Sequence, residues 1–274
     1  MLPRILTIAG SDCSGGAGIQ ADLKTFTALG TYGESVITAL TAQNTLGVQS
    51  IEPVSPIFVA AQLESVLSDV GADAAKTGML FSRDIIIAIA KALIRYRVNN
   101  LVVDPVMVSK SGHRLLKEDA VSALRQHILP LAAVATPNIP EASLLADMAI
   151  LTMKDMRTAA EKICALGARS VIVKGGHMQG DHSSDIWFDG TNMIVFSTPR
   201  YAARHTHGTG CTFSAAIAAY LGKGLAPIEA IRSAKNFVSE AIRTAWPLGR
   251  GTGPVNHLWR FAEESDSGGS PGKP

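Results

Sequence analysis

The sequence is poor in the features that mark several large functional classes. It has three cysteines in 274 residues, Cys13, Cys164 and Cys211. None forms a CxxC pair, so neither a zinc ribbon nor a thioredoxin-type site is indicated. A sparse, odd count also suits a reducing compartment. Charge of one sign is lacking too: the formal net charge is +2, with no basic run. Duplex binding needs a concentrated basic surface, so nucleic acid is excluded as the main partner. No apolar run approaches bilayer length, and the stretch 85–94 is broken by Lys91, so no membrane association is expected. The N-terminal apolar stretch is too short for a signal peptide, which makes a cytoplasmic location the expectation. No GxxxxGK(S/T) motif is present, because Lys223 and Lys273 are followed by Gly224 and Pro274. Any ATP chemistry must proceed without a P-loop.

What is present is an ordinary globular balance, 47% hydrophobic and 18% charged, in a chain long enough for a large core. Short apolar runs at 5–9, 35–40, 72–76, 101–103, 132–136 and 170–173 read as strands. Between them lie helical patterns at 18–29, 56–70, 83–96, 151–166, 211–221 and 227–245. Segments 186–188 and 193–197, joined across Asp189 and Gly190, read as an edge hairpin. This alternation predicts an α/β fold with a mostly parallel sheet covered on both faces. Right-handed crossovers then gather the strands' carboxyl ends on one edge, where ligands bind. No repeat or linker divides the chain. A single domain over 1–262 is expected, with a disordered Ser/Gly/Pro-rich tail at 263–274.

Two glycine-rich loops carry the chemistry. The first runs from Gly10 to Gly18 between a strand and a helix. Residues 16–21 formally satisfy the dinucleotide pattern G-x-G-x-x-G/A. Six residues separate Ala9 from Gly16, however, and that fingerprint needs a tight strand-to-helix turn. The loop either needs only permissive backbone angles or folds tightly over a ligand. The second loop, 205–212, runs through His207, Gly208, Thr209, Gly210 and Cys211 straight into an Ala-rich helix. Successive N–H groups at such a junction converge, and the helix dipole adds positive potential. Cys211 at the helix start is expected to have a lowered thiol pKa. A structural cysteine, a His205–His207–Cys211 metal site and a Cys-His hydrolase are the competing readings. Three ligands within seven residues make poor metal geometry, and no third-member signature supports a hydrolase.

Further candidates lie on the same edge. Asp104 ends a buried strand, and Asn138 and Glu141 follow another. Such groups can hold Mg²⁺ directly or through water. For Glu141 the alternative is a first-turn carboxylate favoured by the helix dipole. Lys174 ends the strand at 170–173, where it either pairs with a nucleotide phosphate or is solvated.

Taken together, these segments resemble one family. Residues 9–25, 41–45, 76–80, 102–108, 136–138, 173–177 and 207–212 look like the signatures of the hydroxymethylpyrimidine and phosphomethylpyrimidine kinases of thiamin biosynthesis, in family order and spacing. The resemblance runs from about Arg4 to Trp259. It implies the ribokinase-like fold, a three-layer α/β/α sandwich, with ATP and Mg²⁺ and a homodimer. It implies that 4-amino-5-hydroxymethyl-2-methylpyrimidine is phosphorylated first and its monophosphate next. By the same resemblance Asp22 and Gln43 line the pyrimidine pocket, with Gly10, Met79 and Val106 nearby. Gly208, Thr209 and Gly210 form the anion hole. Cys211 stands where most of the wider superfamily has an aspartate base. Asp104 and Glu141 serve the metal, and Lys174, Thr209 and Asn138 the ATP. The chemistry is compatible: an aminopyrimidine edge shows a donor beside an acceptor, and the Gln43 amide offers both complements. Related vitamin B6 kinases share most of these motifs and are the alternative, as is a non-catalytic binder of thiamin precursors. The polar loop 108–114 is the expected lid.

Overall fold

The computed structural model describes residues 1–107, 116, 118–176, 181–200 and 203–261. The expected lid at 108–114 and tail at 263–274 lie outside the described residues. One nine-stranded sheet contains every strand described, in the order β3-β2-β1-β4-β5-β6-β7-β8-β9. β1 (Arg4–Asp12), β2 (Tyr32–Asn44), β4 (Ala74–Thr77), β5 (Leu101–Val103), β6 (Ala132–Ala135) and β7 (Val171–Val173) run parallel. β3 (Gly47–Pro53) pairs antiparallel with β2 at one edge, and the hairpin β8 (His182–Phe188) and β9 (Met193–Pro199) closes the other. The expected mostly parallel sheet is thus present, with antiparallel margins.

Central strands alternate their burial between two helical layers. Leu101 and Val103 of β5 face one core, and Val102 faces the other; Val171, Val173 and Ile172 of β7 divide likewise. Both faces are covered, so these strands read as continuous apolar runs. The first layer holds α2 (Pro56–Asp69), α3 (Arg83–Arg95), α4 (Glu118–Ala123), α5 (Ile139–Ala146) and α6 (Met153–Ala165). The second holds α1 (Gly18–Ala28), α7 (Thr209–Gly222) and α8 (Pro227–Arg243). α7 is buried along most of its length, as its Ala-rich sequence allows. Its close seat on the sheet requires Gly222, where a Cβ would run into the Ile5 side chain.

Helix starts follow their sequence signals. Ser55 caps α2 ahead of Pro56, and Thr152 with Asp155 forms a capping box on α6. Three elements were not expected, the short α4 among them. β3 has only Val48 and Ile51 as strong β formers, and cross-strand pairing to β2 decides its conformation. α5 is eight residues long and opens on Pro140 in its first turn.

Phe26 of α1 is fully buried against the second core. Phe26→Ala is expected to lower unfolding free energy by about 3–5 kcal/mol, read from the midpoint of urea denaturation.

Candidate active site

The carboxyl ends of β1, β2, β4, β5, β6 and β7 meet the start of α7. Gly208, the residue before α7, has φ 81°, a left-handed conformation suited to glycine. A Cβ there would strike the Gly16 carbonyl oxygen. A Cβ on Gly18, where φ is 57°, would strike the Gly10 carbonyl oxygen. The two glycine-rich loops therefore lie directly on each other. The first is folded tightly, and Gly15 and Gly18 in it take the positive φ that glycine permits.

Asp12 organises that packing. Its carboxylate accepts from Ser14 N (2.9 Å), Ser14 Oγ (2.7 Å), Gly16 N (3.2 Å) and Ala17 N (2.9 Å). His207 Nε2 lies 2.9 Å from Asp12 Oδ2. Burial works against the charge of Asp12, but His207 and Ser14 outweigh it and hold the carboxyl below its usual range. The His207 backbone is clamped as well: its N–H donates to Gly253 O (3.0 Å), and its carbonyl accepts from Val255 N (3.1 Å).

Beneath α7 runs a row of buried charge. Lys76 Nζ, without exposure, contacts Asp22 Oδ2 (2.8 Å) and Oδ1 (3.1 Å), and Thr7 Oγ1 donates to Asp22 Oδ2 (2.6 Å). Asp104 Oδ1 accepts from Lys174 Nζ (3.0 Å) and Thr136 Oγ1 (3.3 Å), and Oδ2 from Ser214 Oγ (3.2 Å). Burial would suppress the Lys76 charge, but Asp22, Cys211 and Asp104 hold it above the ordinary lysine range. Burial likewise pushes Asp104 up, and Lys174 and Lys76 bring it below the usual carboxylate range. A Cβ on Gly210 would stand 3.5 Å from Lys174 Nζ and 3.8 Å from Asp104 Oδ2, so this row reaches the first turn of α7.

The expected residues thus gather in two adjoining groups. Gly10, Met79 and Val106 border a small apolar cluster with Ala39 and Ile51, and a Cβ on Gly10 would meet Met79 Cε at 3.0 Å. Gln43 stands at its rim, half-buried and tied to His207, while Asp22 sits below, fully buried. Gly208, Thr209, Gly210 and Cys211 face Lys174 and Asp104 across the second group. Thr209 Oγ1 donates to Thr206 O (2.8 Å), and the Thr209 backbone N–H reaches the same carbonyl at the longer distance of 3.4 Å. Asn138 and Glu141 form a reciprocal capping box on α5: Asn138 Oδ1 accepts from Glu141 N (2.9 Å), and Glu141 Oε2 from Asn138 N (2.9 Å). The first-turn role weighed for Glu141 is therefore present. Burial, aided by Asp104, raises the Glu141 carboxyl to about 7, against the pull of Lys174.

One expectation fails. Cys211 begins a helix, yet its thiol is not activated at rest. Burial, with some help from Asp22 and Asp104, pushes it up to about 11, more than offsetting Lys76 and the Gly18 N–H. Desolvation of a thiolate outweighs the helix start here. Among the described residues no group of three or more His, Cys, Asp and Glu side chains is placed to hold a metal, which leaves the His205–His207–Cys211 site without support. His205 Nδ1 instead accepts from Gly253 N (3.1 Å).

Sequence reasoning passed over Asp12, Lys76 and Ser214 as functional side chains, and weighed His207 only as a metal ligand or hydrolase partner, not as the partner of Asp12. Lys76 carried a signal, a lone lysine inside the apolar strand 74–77. Because it neutralises a fully buried Asp22, Lys76→Met is expected to cost about 3–5 kcal/mol in denaturant unfolding. Lys76→Met combined with Asp22→Leu should recover most of that loss.

The chain resembles known proteins along most of its length. The profile of the phosphomethylpyrimidine kinase family matches residues 12–256. A thiamine biosynthesis bifunctional protein of Geobacter sulfurreducens is 56% identical over 254 residues; the match takes 93% of this chain and 52% of that protein, so the chain spans about half its length. The hydroxymethylpyrimidine/phosphomethylpyrimidine kinase of Rhizobium meliloti is 51% identical over 93% of this chain and 97% of its own. Among solved structures, an ADP complex of Bacillus subtilis pyridoxal kinase superimposes with a TM-score of 0.90 at 42% identity, covering 95% of this chain and 99% of that one. The fold is therefore the ribokinase-like sandwich. No helix among the described residues is long and apolar enough to cross a membrane.

Proposed function

The chain belongs to the phosphomethylpyrimidine kinase family, and on that premise we propose that it uses ATP to phosphorylate 4-amino-5-hydroxymethyl-2-methylpyrimidine and then the resulting monophosphate. The observation that carries this reading is the family match across 12–256, which takes in every candidate residue except Gly10. The geometry is compatible. The apolar cluster of Ala39, Met79, Ile51 and Val106 beside Gly10 offers a face for a flat ring, and the Gln43 amide can read a donor-acceptor edge. The acceptor group then points toward Cys211 and the glycine N–H groups, with Lys174 beside them. Phosphoryl transfer asks mainly for positioning and charge stabilisation, which these groups supply.

Asp104 and Glu141 fit Mg²⁺ in a particular way. Each already has protein partners, so they suit a hydrated ion held largely by phosphates, not a dry chelate of carboxylates. When bound, the ion would draw negative charge from the transferring group. A homodimer in the cytoplasm completes the reading; it rests on the family resemblance alone.

A second reading has a specific observation behind it, the pyridoxal kinase fold match at 42% identity. Gln43 weighs against it, because a pyridoxal ring has no amino group for that amide. Turnover with ATP should favour the pyrimidine alcohol and its monophosphate over pyridoxal. A clear preference for pyridoxal overturns the first reading, and ATP consumption with none of the three overturns both.

The acceptors of the two steps differ. An alcohol benefits from a base, whereas a phosphate monoester is already ionised near neutral pH. Cys211→Ala should slow alcohol phosphorylation by about 100-fold, with a much smaller loss on the monophosphate. Because burial pushes the thiol up to about 11, alcohol-step kcat/KM should rise with pH through the neutral and mildly alkaline range. Equal losses on both substrates would reduce Cys211 to a shape role.

A further inference from the structure

The rim of the proposed ring pocket holds a hydrogen-bond chain whose proton positions can be worked out. Asp12 accepts four loop donors, two on each carboxylate oxygen, and His207 Nε2 makes a fifth contact at 2.9 Å. A carboxyl group so surrounded by donors is ionised and can only accept. His207 Nε2 must therefore carry its hydrogen, and it has no lone pair to offer on that side. The Gln43 amide approaches the same nitrogen at 3.1 Å. An amino group cannot hydrogen-bond a protonated ring nitrogen. The oxygen and nitrogen of an amide are told apart only by their partners, and here the partners decide. The atom of Gln43 facing His207 is its carbonyl oxygen, which shares the Nε2 hydrogen with Asp12.

The other end of the amide agrees. Thr41 Oγ1 gives its single hydrogen to Ser11 O at 2.9 Å. Toward Gln43, at the longer distance of 3.4 Å, it is left as an acceptor and calls for the amide NH₂. Two independent neighbours set the same orientation. The ring that enforces it is itself immobilised. A Cβ at Gly16 would collide with His207 Cδ2, and the strap 253–255 clamps the His207 backbone on both sides.

We propose that Asp12 and His207 are positioning residues that lock the Gln43 amide in one of its two orientations, and thereby set which hydrogen-bonding edge the pocket accepts. This rests on the pyrimidine reading above. The carbonyl oxygen keeps one lone pair on the His207 side, and the NH₂ keeps one hydrogen on the Thr41 side. A ring must then present its exocyclic amino group toward His207 and its ring-nitrogen acceptor toward Thr41. A freely rotating amide would accept either order. A locked one leaves a buried group unpaired when the amino group is missing, and such mismatches discriminate strongly.

Two measurements test this. In ¹⁵N-histidine-labelled protein, with His207 assigned by its loss in His207→Gln, Nε2 should appear as a protonated nitrogen. A lone-pair nitrogen there overturns the proposal. Separately, kcat/KM is compared for the pyrimidine alcohol and its analogue lacking the 4-amino group. The preference for the amino compound should fall about tenfold or more in both Asp12→Asn and His207→Gln, carried by KM for the alcohol, with KM for ATP little changed. An unchanged preference, with kcat and stability falling together, would mean that these residues only support the loop. If wild-type protein turns over neither compound while Nε2 is protonated, the pyrimidine reading fails and the amide assignment stands.

Discussion

Lys76 is the constraint on which the site depends. A lysine with no solvent contact has to be neutralised, and Asp22 supplies that neutralisation from α1. The pair pins α1 to β4 from the sheet face that α7 also covers. Its charge does not stop at Asp22: Lys76 also acts on Cys211 and Asp104, and Asp104 in turn is held by Lys174. Alternating charges thus run from β4 to the end of β7 under the first turn of α7. Removing water from such a row is costly, and the row persists because each member has a hydrogen-bonded partner. The return is a fixed field at the point where anionic phosphoryl groups are expected, with no solvent to reorganise.

A second constraint sets the upper surface of the site. Gly208 and Gly16 let the two loops touch backbone to backbone, and Asp12 ties the first loop together through four donors. His207 then joins that loop to the C-terminal strap through Gly253 and Val255. Three distant parts of the chain meet at this one residue, the first loop at its imidazole and the strap at its backbone. On the proposed reading, the ring site and the anion hole are two sides of this junction, so the reading of the substrate and the placing of the phosphate share one rigid frame.

The layers of the fold were legible from periodicity because buried parallel strands and amphipathic helices leave strong patterns. β3 left none; its pairing with β2 is a tertiary effect, and Gly47, Gln49, Ser50 and Glu52 carry little strand preference of their own. The candidate site was legible in part. Asp104, Lys174 and the glycines stood out by their position at strand and helix ends. Asp12 and His207 did not, because nearly two hundred residues separate them and only folding makes them partners. The thiol of Cys211 was misjudged for a related reason. Sequence shows that it starts a helix, but the desolvation that raises its pKa comes from α1, β4 and β5 packed around it.

That raised pKa bears on why a thiol rather than a carboxylate suits this position. On the proposed reading the same pocket must take a neutral alcohol first and an anionic monophosphate second. Unit charges of like sign 4 Å apart repel by about 4 kcal/mol at an effective dielectric constant near 20. An aspartate beside Gly210 would impose that repulsion on the second acceptor while helping the first. A thiol held near 11 is neutral at physiological pH and imposes none. To serve as the base it must first lose its proton to solvent; Lys76 steadies the small thiolate fraction, which then takes up the alcohol's proton as the oxygen attacks phosphorus. A mostly protonated base is then a compromise between two acceptors, and the buried lysine beneath it makes that compromise workable.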